Sequence, residues 1–279
     1  MKSLSLMAPA KLNLSLRVIG KRADGFHEIE TTMVKLPSLA DQLDFQKATR
    51  FSFSCDDPSL PTDSRNLAVK AVATFQAATG IACDYSLSLK KTIPHGAGLG
   101  GGSSDAAATL NGLNLLHGHP LSMGTLLELA STLGSDVPFF LTSGAALCTG
   151  RGDKITQIPP PPALRVMLFK PAFPVATSDA YRRWSTSKEI SGISYSAQTV
   201  HGISIFNDLE RPVFQKHRFL AELKQWLLTH RDISAALMSG SGSTVFAILN
   251  ANADPVAIAA AARRALDPFM WTWTTTTGA

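Results

Sequence analysis

One stretch constrains this chain more than any other: Pro94-His95-Gly96-Ala97-Gly98-Leu99-Gly100-Gly101-Gly102-Ser103-Ser104-Asp105-Ala106-Ala107-Ala108. Five glycines fall within seven residues, followed by two serines, an acid and three alanines. Glycine has no Cβ and tolerates φ > 0, so this backbone bends tightly and lets a ligand touch it. Upstream, residues 84–91 alternate apolar and polar side chains, as a half-buried strand does. Downstream, residues 106–116 are rich in Ala and Leu, strong helix formers. Ser103 or Ser104 is the expected N-cap, with Asp105 in the first turn complementing the helix dipole. The unit reads strand, glycine loop, helix N-terminus. Its free backbone N–H groups and positive dipole end converge on one spot, which favours a phosphate. A ligand-free surface turn would not need five glycines, each costly to order.

Other phosphate motifs do not fit. Gly96, Gly98 and Gly101 satisfy G-x-G-x-x-G, but a dinucleotide fold needs an acidic residue for the ribose about 20 residues on. The acid in that range, Glu128, lies inside a helical pattern. No Lys follows the glycines, so the loop is not a Walker A motif. His230-Arg231-Asp232 mimics a protein-kinase catalytic triplet, yet Leu237 stands where Asn is required and no Asp-Phe-Gly follows.

At 279 residues the chain is long enough for two domains. Its net charge of +5 suits anionic small molecules, and without a block of five or six basic residues no nucleic-acid partner is expected. Cys55, Cys83 and Cys148 are odd in number and widely spaced, which suits free thiols in a reducing compartment rather than a metal site or disulfides. No apolar run reaches membrane-span length, so the expected setting is cytoplasmic, with no membrane partner.

Along the chain, alternation at Leu4, Leu6 and Ala8 and again from Leu12 to Val18 predicts two strands separated by Pro9-Ala10-Lys11. Lys11 and Asn13 share the parity opposite to the leucines, so they occupy either a solvated face or a site. Arg22-Ala23-Asp24-Gly25 is a turn, followed by a strand over 26–36 and short strands over 41–46 and 50–54. Ser64 is the expected cap of a helix over 65–78, with Asn66 in its first turn and Gly80 beyond its end. Ser122 and Gly134 bracket another helix. Asp136 stands two residues before Pro138, either as a helix cap or as a partly desolvated carboxylate able to accept a proton. Strands are expected over 145–149 and 154–158. Pro159 to Pro162 mark a composition break that divides the chain into 1–158 and 159–279. Beyond it the pattern gives a strand over 164–169, a helix over 178–184 and a mostly loop segment over 185–204. Asn207 opens a helical stretch, and 217–228 is amphipathic. Strands over 235–238 and 245–249 flank a second glycine–serine turn, Ser239-Gly240-Ser241-Gly242-Ser243-Thr244, either an anion site or a plain hairpin. A helix over 254–266 and a strand over 269–274 close the chain.

Pro9-Ala10-Lys11-Leu12-Asn13, the glycine stretch and the second glycine–serine turn stand in this order, and together they resemble the GHMP small-molecule kinases. Gly25-Phe26-His27 and Gly134-Ser135-Asp136-Val137-Pro138 narrow the resemblance to members acting on a cytidine diphosphate substrate. The resemblance covers nearly the whole chain. It implies an α+β fold with an N-terminal domain like domain 2 of ribosomal protein S5 and a ferredoxin-like C-terminal domain. It implies transfer of the γ-phosphoryl of ATP, with Mg²⁺, to the 2-hydroxyl of a cytidine-diphosphate-linked methylerythritol, a step in isoprenoid precursor synthesis. By position, Lys11 and Asp136 match the catalytic pair. Pro94, His95, Gly96, Ala97, Gly98, Leu99, Gly100, Gly101, Gly102, Ser103 and Ser104 match the ATP-phosphate loop, and Asn66 and Lys91 match residues near the nucleotide. Asn13, Phe26, His27 and Tyr181 match the cytidine side, with Phe26 where many members carry Tyr. Asp136 would take the hydroxyl proton while Lys11 holds it in its charged form and orients the reacting groups. Ser103 or Ser104 would contact Mg²⁺ directly or through water, no side-chain cluster being present to hold a metal by itself. Asp105 would cap its helix, and Phe26 and Tyr181 would sandwich the pyrimidine while His27 reads its edge. A monomer or weak homodimer is expected. Two alternatives remain at this point: a GHMP kinase for homoserine, mevalonate or a sugar, and a non-catalytic RNA-binding module.

Overall fold

The computed structural model describes residues 3–278. It opens with two long antiparallel strands, β1 (Ser3–Lys21) and β2 (His27–Lys47). Where the sequence suggests two strands split at Pro9, there is one, with the register shifting between Pro9 and Ala10. Proline has no N–H to give the ladder, and a bulge absorbs the gap without ending the strand. In the same way β2 runs through what reads as two strands, 26–36 and 41–46. Lys11 and Asn13 are not on a solvated face. Each is 3% exposed, and Leu12 and Leu14 between and beside them are fully buried, so both faces of β1 are covered here.

β3 (Ser52–Cys55) runs parallel to β4 (Tyr85–Lys90), which pairs antiparallel with β2. Between them lies α1 (Leu67–Thr79). Its cap is Asn66, whose side chain accepts from the Ala68 N–H, and not Ser64; Gly80 closes it at φ 68°. Then come α2 (Gly101–Leu116), α3 (Met123–Leu133), α4 (Val137–Phe140) and the hairpin β5 (Ala145–Thr149) and β6 (Lys154–Ile158), which attaches to β2. Phe75, Leu110, Leu113 and Leu126 of the first three helices pack with Phe45 and Leu87 of the sheet. Each such side chain, fully buried, stabilises by about 1.5–3 kcal/mol.

The second half contains β7 (Arg165–Lys170), α5 (Thr177–Trp184), β8 (Gln198–Val200), β9 (Ile203–Asn207), α6 (Glu210–Lys216), α7 (Arg218–Leu228), β10 (Ile233–Met238), β11 (Val245–Leu249), α8 (Pro255–Ala265) and β12 (Trp271–Thr276). One sheet has the order β3-β4-β2-β1-β9-β8, and an antiparallel four-stranded sheet has the order β10-β11-β7-β12. The segment read as mostly loop, 185–204, thus ends in a hairpin that joins the first sheet. Asn207 does not open a helix; it ends β9, which lies parallel to β1 through Ser15↔Phe206 and Leu16↔Asn207. The Asp208 carboxylate secures this seam by accepting from the Val18 N–H at 2.9 Å.

Candidate active site

The glycine loop lies at the mouth of a 420 Å³ cavity lined by residues 94–103. Three of its glycines, Gly96, Gly98 and Gly100, have φ between 64° and 74°. The helix does not start at the serines. Gly100 is its N-cap, in the left-handed region and with no capping side chain. The first N–H groups of α2 therefore have neither an intrahelical nor a side-chain partner and are available to an anion. A side chain on Gly98 would stand 2.4 Å from the Ser239 carbonyl oxygen, because the second glycine–serine turn packs directly on the first. The Thr244 N–H donates to the Ala97 carbonyl and the Ser239 hydroxyl to the Gly98 carbonyl, each at 3.1 Å. This turn is thus a docked wall of the cavity rather than a free hairpin.

Ser103 lines the cavity and Ser104 does not. Ser104 is 1% exposed and faces a separate 220 Å³ cavity behind α2, its hydroxyl without a hydrogen-bond partner. Asp105 is not a cap. It is buried past the first turn and receives the Lys91 ammonium at 2.9 Å. Lys91 also donates to the fully buried Asp41, a residue with no motif around it to mark it in the sequence. Burial, with Asp41 adding to it and Lys91 opposing it, raises the Asp105 carboxyl well above the usual range. Burial also opposes the charge on Lys91, but Asp105 and Asp41 outweigh it and raise the ammonium. Asn66 and Lys91 both reach the cavity wall, each with polar partners inside the protein.

Lys11 and Asp136 meet as the motifs suggest. Lys11 Nζ is 3.4 Å from Asp136 Oδ2, with the lysine side chain 4% exposed and the carboxylate 33%. Asp136 occupies the N-cap position of α4 but makes no capping hydrogen bond, so its carboxylate stays directed at the site. Behind the pair, Lys11 donates to Asn13 Oδ1 at 2.5 Å, Asn13 Nδ2 to the Thr31 hydroxyl at 2.8 Å and Thr31 to the Ser15 carbonyl at 2.6 Å. This relay fixes the lysine from the rear. It is built from β1 and β2, and a register shift between Asn13 and Ser15 falls within it.

A second cavity of 660 Å³ adjoins the first and shares Ile29, Asp136, Thr177 and Tyr181 with it. Phe26, His27 and Tyr181 all line it. His27 stacks on Tyr181 with ring centroids 5.3 Å apart and meets Trp184 edge-on at 6.1 Å. The Arg151 guanidinium lies 4.8 Å from the centre of the half-exposed Phe26 ring. Burial pushes the His27 imidazole down, with a smaller contribution from Lys21, and burial pushes the Tyr181 phenol up. Sequence reasoning missed Trp184, Arg182 and Arg151 here. The first two sit on α5, whose facing direction only tertiary structure sets, and Arg151 looks like an ordinary turn residue between two strands.

Residues 66–144 match the GHMP kinases N terminal domain and residues 198–267 match GHMP kinases C terminal. The chain is 42% identical over 248 residues to a 4-diphosphocytidyl-2-C-methyl-D-erythritol kinase of Methylacidiphilum infernorum, covering 87% of this chain and 85% of that protein. It is 40% identical over 248 residues to one of Protochlamydia amoebophila, covering 89% and 85%. A crystal structure of 4-(cytidine 5'-diphospho)-2C-methyl-D-erythritol kinase superposes with a TM-score of 0.79 at 32% identity, covering 99% of this chain and 100% of that one. A homoserine kinase from Cytophaga hutchinsonii reaches 0.72 at 18% identity, a likeness of fold alone. Identity at the level of the first two, sustained over most of both chains and joined to a lysine–aspartate pair beside an uncapped helix N-terminus, places this chain in the GHMP kinase family, among the 4-diphosphocytidyl-2-C-methyl-D-erythritol kinases.

Proposed function

We propose that this protein transfers the γ-phosphoryl of ATP to the 2-hydroxyl of 4-diphosphocytidyl-2-C-methyl-D-erythritol. One observation carries the reading: Asp136 belongs to both cavities at once, with Lys11 beside it. The cavity under the glycine loop offers uncapped N–H groups to the triphosphate. The other offers aromatic faces to a pyrimidine. A phosphoryl group and its acceptor hydroxyl would meet at the shared wall.

Phosphoryl transfer depends on positioning and charge neutralisation more than on covalent chemistry. As the hydroxyl oxygen forms its bond to the γ-phosphorus, the bond to the β–γ bridging oxygen breaks and ADP leaves. Asp136 accepts the proton that the hydroxyl gives up. Lys11, held from behind by Asn13, offsets negative charge at the reacting centre. Mg²⁺ would be held mostly by phosphates and water, with one or two protein oxygens. Ser103 and Asp136 both line the cavity under the glycine loop and would be the protein oxygens nearest to hand for it. When bound, the ion would neutralise phosphate charge.

On the cytidine side, one face of Tyr181 is taken by His27 and one face of Phe26 by Arg151. All three rings line the 660 Å³ cavity, which supports a pyrimidine stacked against an aromatic face there. The absent hydroxyl on Phe26 leaves that stacking face intact. The test is direct: incubate the protein with ATP, Mg²⁺ and the cytidine substrate, and look by ³¹P NMR for a new phosphate monoester together with ADP. Homoserine, mevalonate and galactose run in parallel decide against the other GHMP activities, and ADP formation with any of them but not with the cytidine substrate overturns the assignment.

A further inference from the structure

Three buried charged side chains meet directly beneath the glycine loop. Asp41 comes from β2, Lys91 from the residue after β4, and Asp105 from α2. Lys91 Nζ donates to both carboxylates. Through its other oxygen, Asp41 accepts the backbone N–H groups of Thr92 at 2.6 Å and Ile93 at 2.8 Å. The Lys91 N–H is held in turn by Asp56 at 2.8 Å. Every one of these bonds falls on a segment flanking the loop, at 91–93 on one side and at 105 on the other. The cluster is also in contact range of the loop, since a Cβ on Gly101 would lie 3.3 Å from Lys91 Nζ.

Such a cluster is a costly way to gain stability. Two carboxylates and one ammonium leave water together, and a buried pair of this kind is weak evidence for stability as such. It specifies geometry instead. Strands β2 and β4 and helix α2 can meet in only one relative placement if Lys91 is to satisfy both acids. That placement sets where the N–H groups of residues 101–103 point.

We propose that Asp41, Lys91 and Asp105 are positioning residues for the phosphate loop, and that Lys91 acts on the nucleotide through these two carboxylates rather than by contacting it. The inference rests on the assignment of ATP to the glycine-loop cavity. It separates from the simpler view, in which the Lys91 ammonium is itself a phosphate ligand. On that view, weakening the hold of an acid on Lys91 frees the ammonium, and ATP binds as well as before or better. On ours, the loop loses its placement and ATP binds worse.

The experiment uses Asp105→Asn, which keeps an acceptor for Lys91 but removes the charge, with Asp41→Asn and Lys91→Arg alongside. Dissociation constants for ATP and for cytidine diphosphate are measured by calorimetry, and KM for ATP and kcat by steady-state kinetics. A misplacement on the ångström scale costs about 10²-fold where it falls on the reacting groups. For the flank of the loop we expect Asp105→Asn to weaken ATP binding by about tenfold, or about 1.4 kcal/mol. KM for ATP should rise in step. The cytidine diphosphate constant should stay within about twofold and kcat at saturating ATP within about threefold, which a general loss of structure would not produce. Lys91→Arg, still able to bridge two carboxylates, should retain more ATP affinity than Asp105→Asn. Unchanged or tighter ATP binding in Asp105→Asn overturns the proposal, as does loss of both ligands together in a protein with wild-type circular dichroism. Should Asp41→Asn fail to fold, Asp105→Asn decides alone. If the unmodified protein binds no ATP, it is the kinase assignment that fails.

Discussion

Asp136 and Tyr181 separate two kinds of residue that the same cavities bring together. Asp136 is polar and partly exposed beside a buried ammonium, and it makes no hydrogen bond that stability requires. Asp136→Asn should keep ATP binding and lower kcat by about 10²–10⁴, the range for a lost general base. Nearly wild-type turnover in that variant removes Asp136 from the proton-transfer role. Tyr181 has a stacking partner in His27 and also packs against the core of the second half. Base–aromatic stacking is worth about 1–3 kcal/mol per base. Tyr181→Ala should therefore weaken cytidine diphosphate binding by roughly 5- to 150-fold and leave ATP nearly unchanged. Equal loss of both ligands, with a lowered melting temperature, would instead mark Tyr181 as a core residue. At this scale the sequence was informative where a motif fixed the residue type. Lys11, Asp136 and His27 are all found at the two cavities. It was uninformative for Asp41, whose partners lie some fifty positions away and have no local periodicity to announce them.

At the scale of elements, the strand, loop and helix around the five glycines are legible because both signals are local: alternation before the loop and helix formers after it. The cap is not, because a glycine in the left-handed region replaces the side chain that sequence rules look for. The same distinction corrects which glycine is conformationally required. Gly101 lies in the helix without a positive φ, and the atoms nearest to a side chain there are those of Ile93 and the Lys91 ammonium. Of the three left-handed glycines of the loop, Gly98 leaves the least room, at φ 74° with the Ser239 carbonyl oxygen 2.4 Å from where its Cβ would be. Gly102 has neither constraint, its nearest such neighbour being Leu67 Cδ1 at 3.8 Å. Left-handed placement costs a non-glycine residue about 1–2 kcal/mol. The displaced second turn adds to this, so Gly98→Ala should lower Tm by about 4 °C or more at 2–4 °C per kcal/mol. Gly102→Ala should leave Tm level or raise it slightly, since Ala is the better helix former. A calorimetric scan showing the two variants equally stable would mean that the loops are not locked together at Gly98.

Across the whole molecule, the composition break at Pro159 to Pro162 falls in the connection between β6 and β7, and the two family matches lie on either side of it. The halves on each side nevertheless share one core. Leu12, Leu14, Val34 and Leu36 from before the break pack in the same cluster as Val166, Leu168, Phe246 and Ile248 from after it. β9 extends the first sheet alongside β1, and the Gly278 N–H donates to the Lys35 carbonyl at 2.9 Å. None of this was legible in the sequence, because β8 and β9 are short, polar on one side and specified by a partner nearly two hundred residues earlier. A fragment ending at residue 158 would expose the inner face of β1 and leave the Val18 N–H without Asp208. Burial of apolar surface is worth about 25 cal/mol per Å², so a face of this kind left open removes much of a stability that is only ~5–15 kcal/mol in total. We therefore expect residues 1–158 expressed alone to lack a cooperative thermal transition. Co-expression with residues 159–279 should restore both the transition and ATP binding, because the seam is made of packing and hydrogen bonds that need no covalent link. If the fragment 1–158 alone melts cooperatively and binds ATP, the shared core contributes little, and the glycine loop is supported by its own half of the chain.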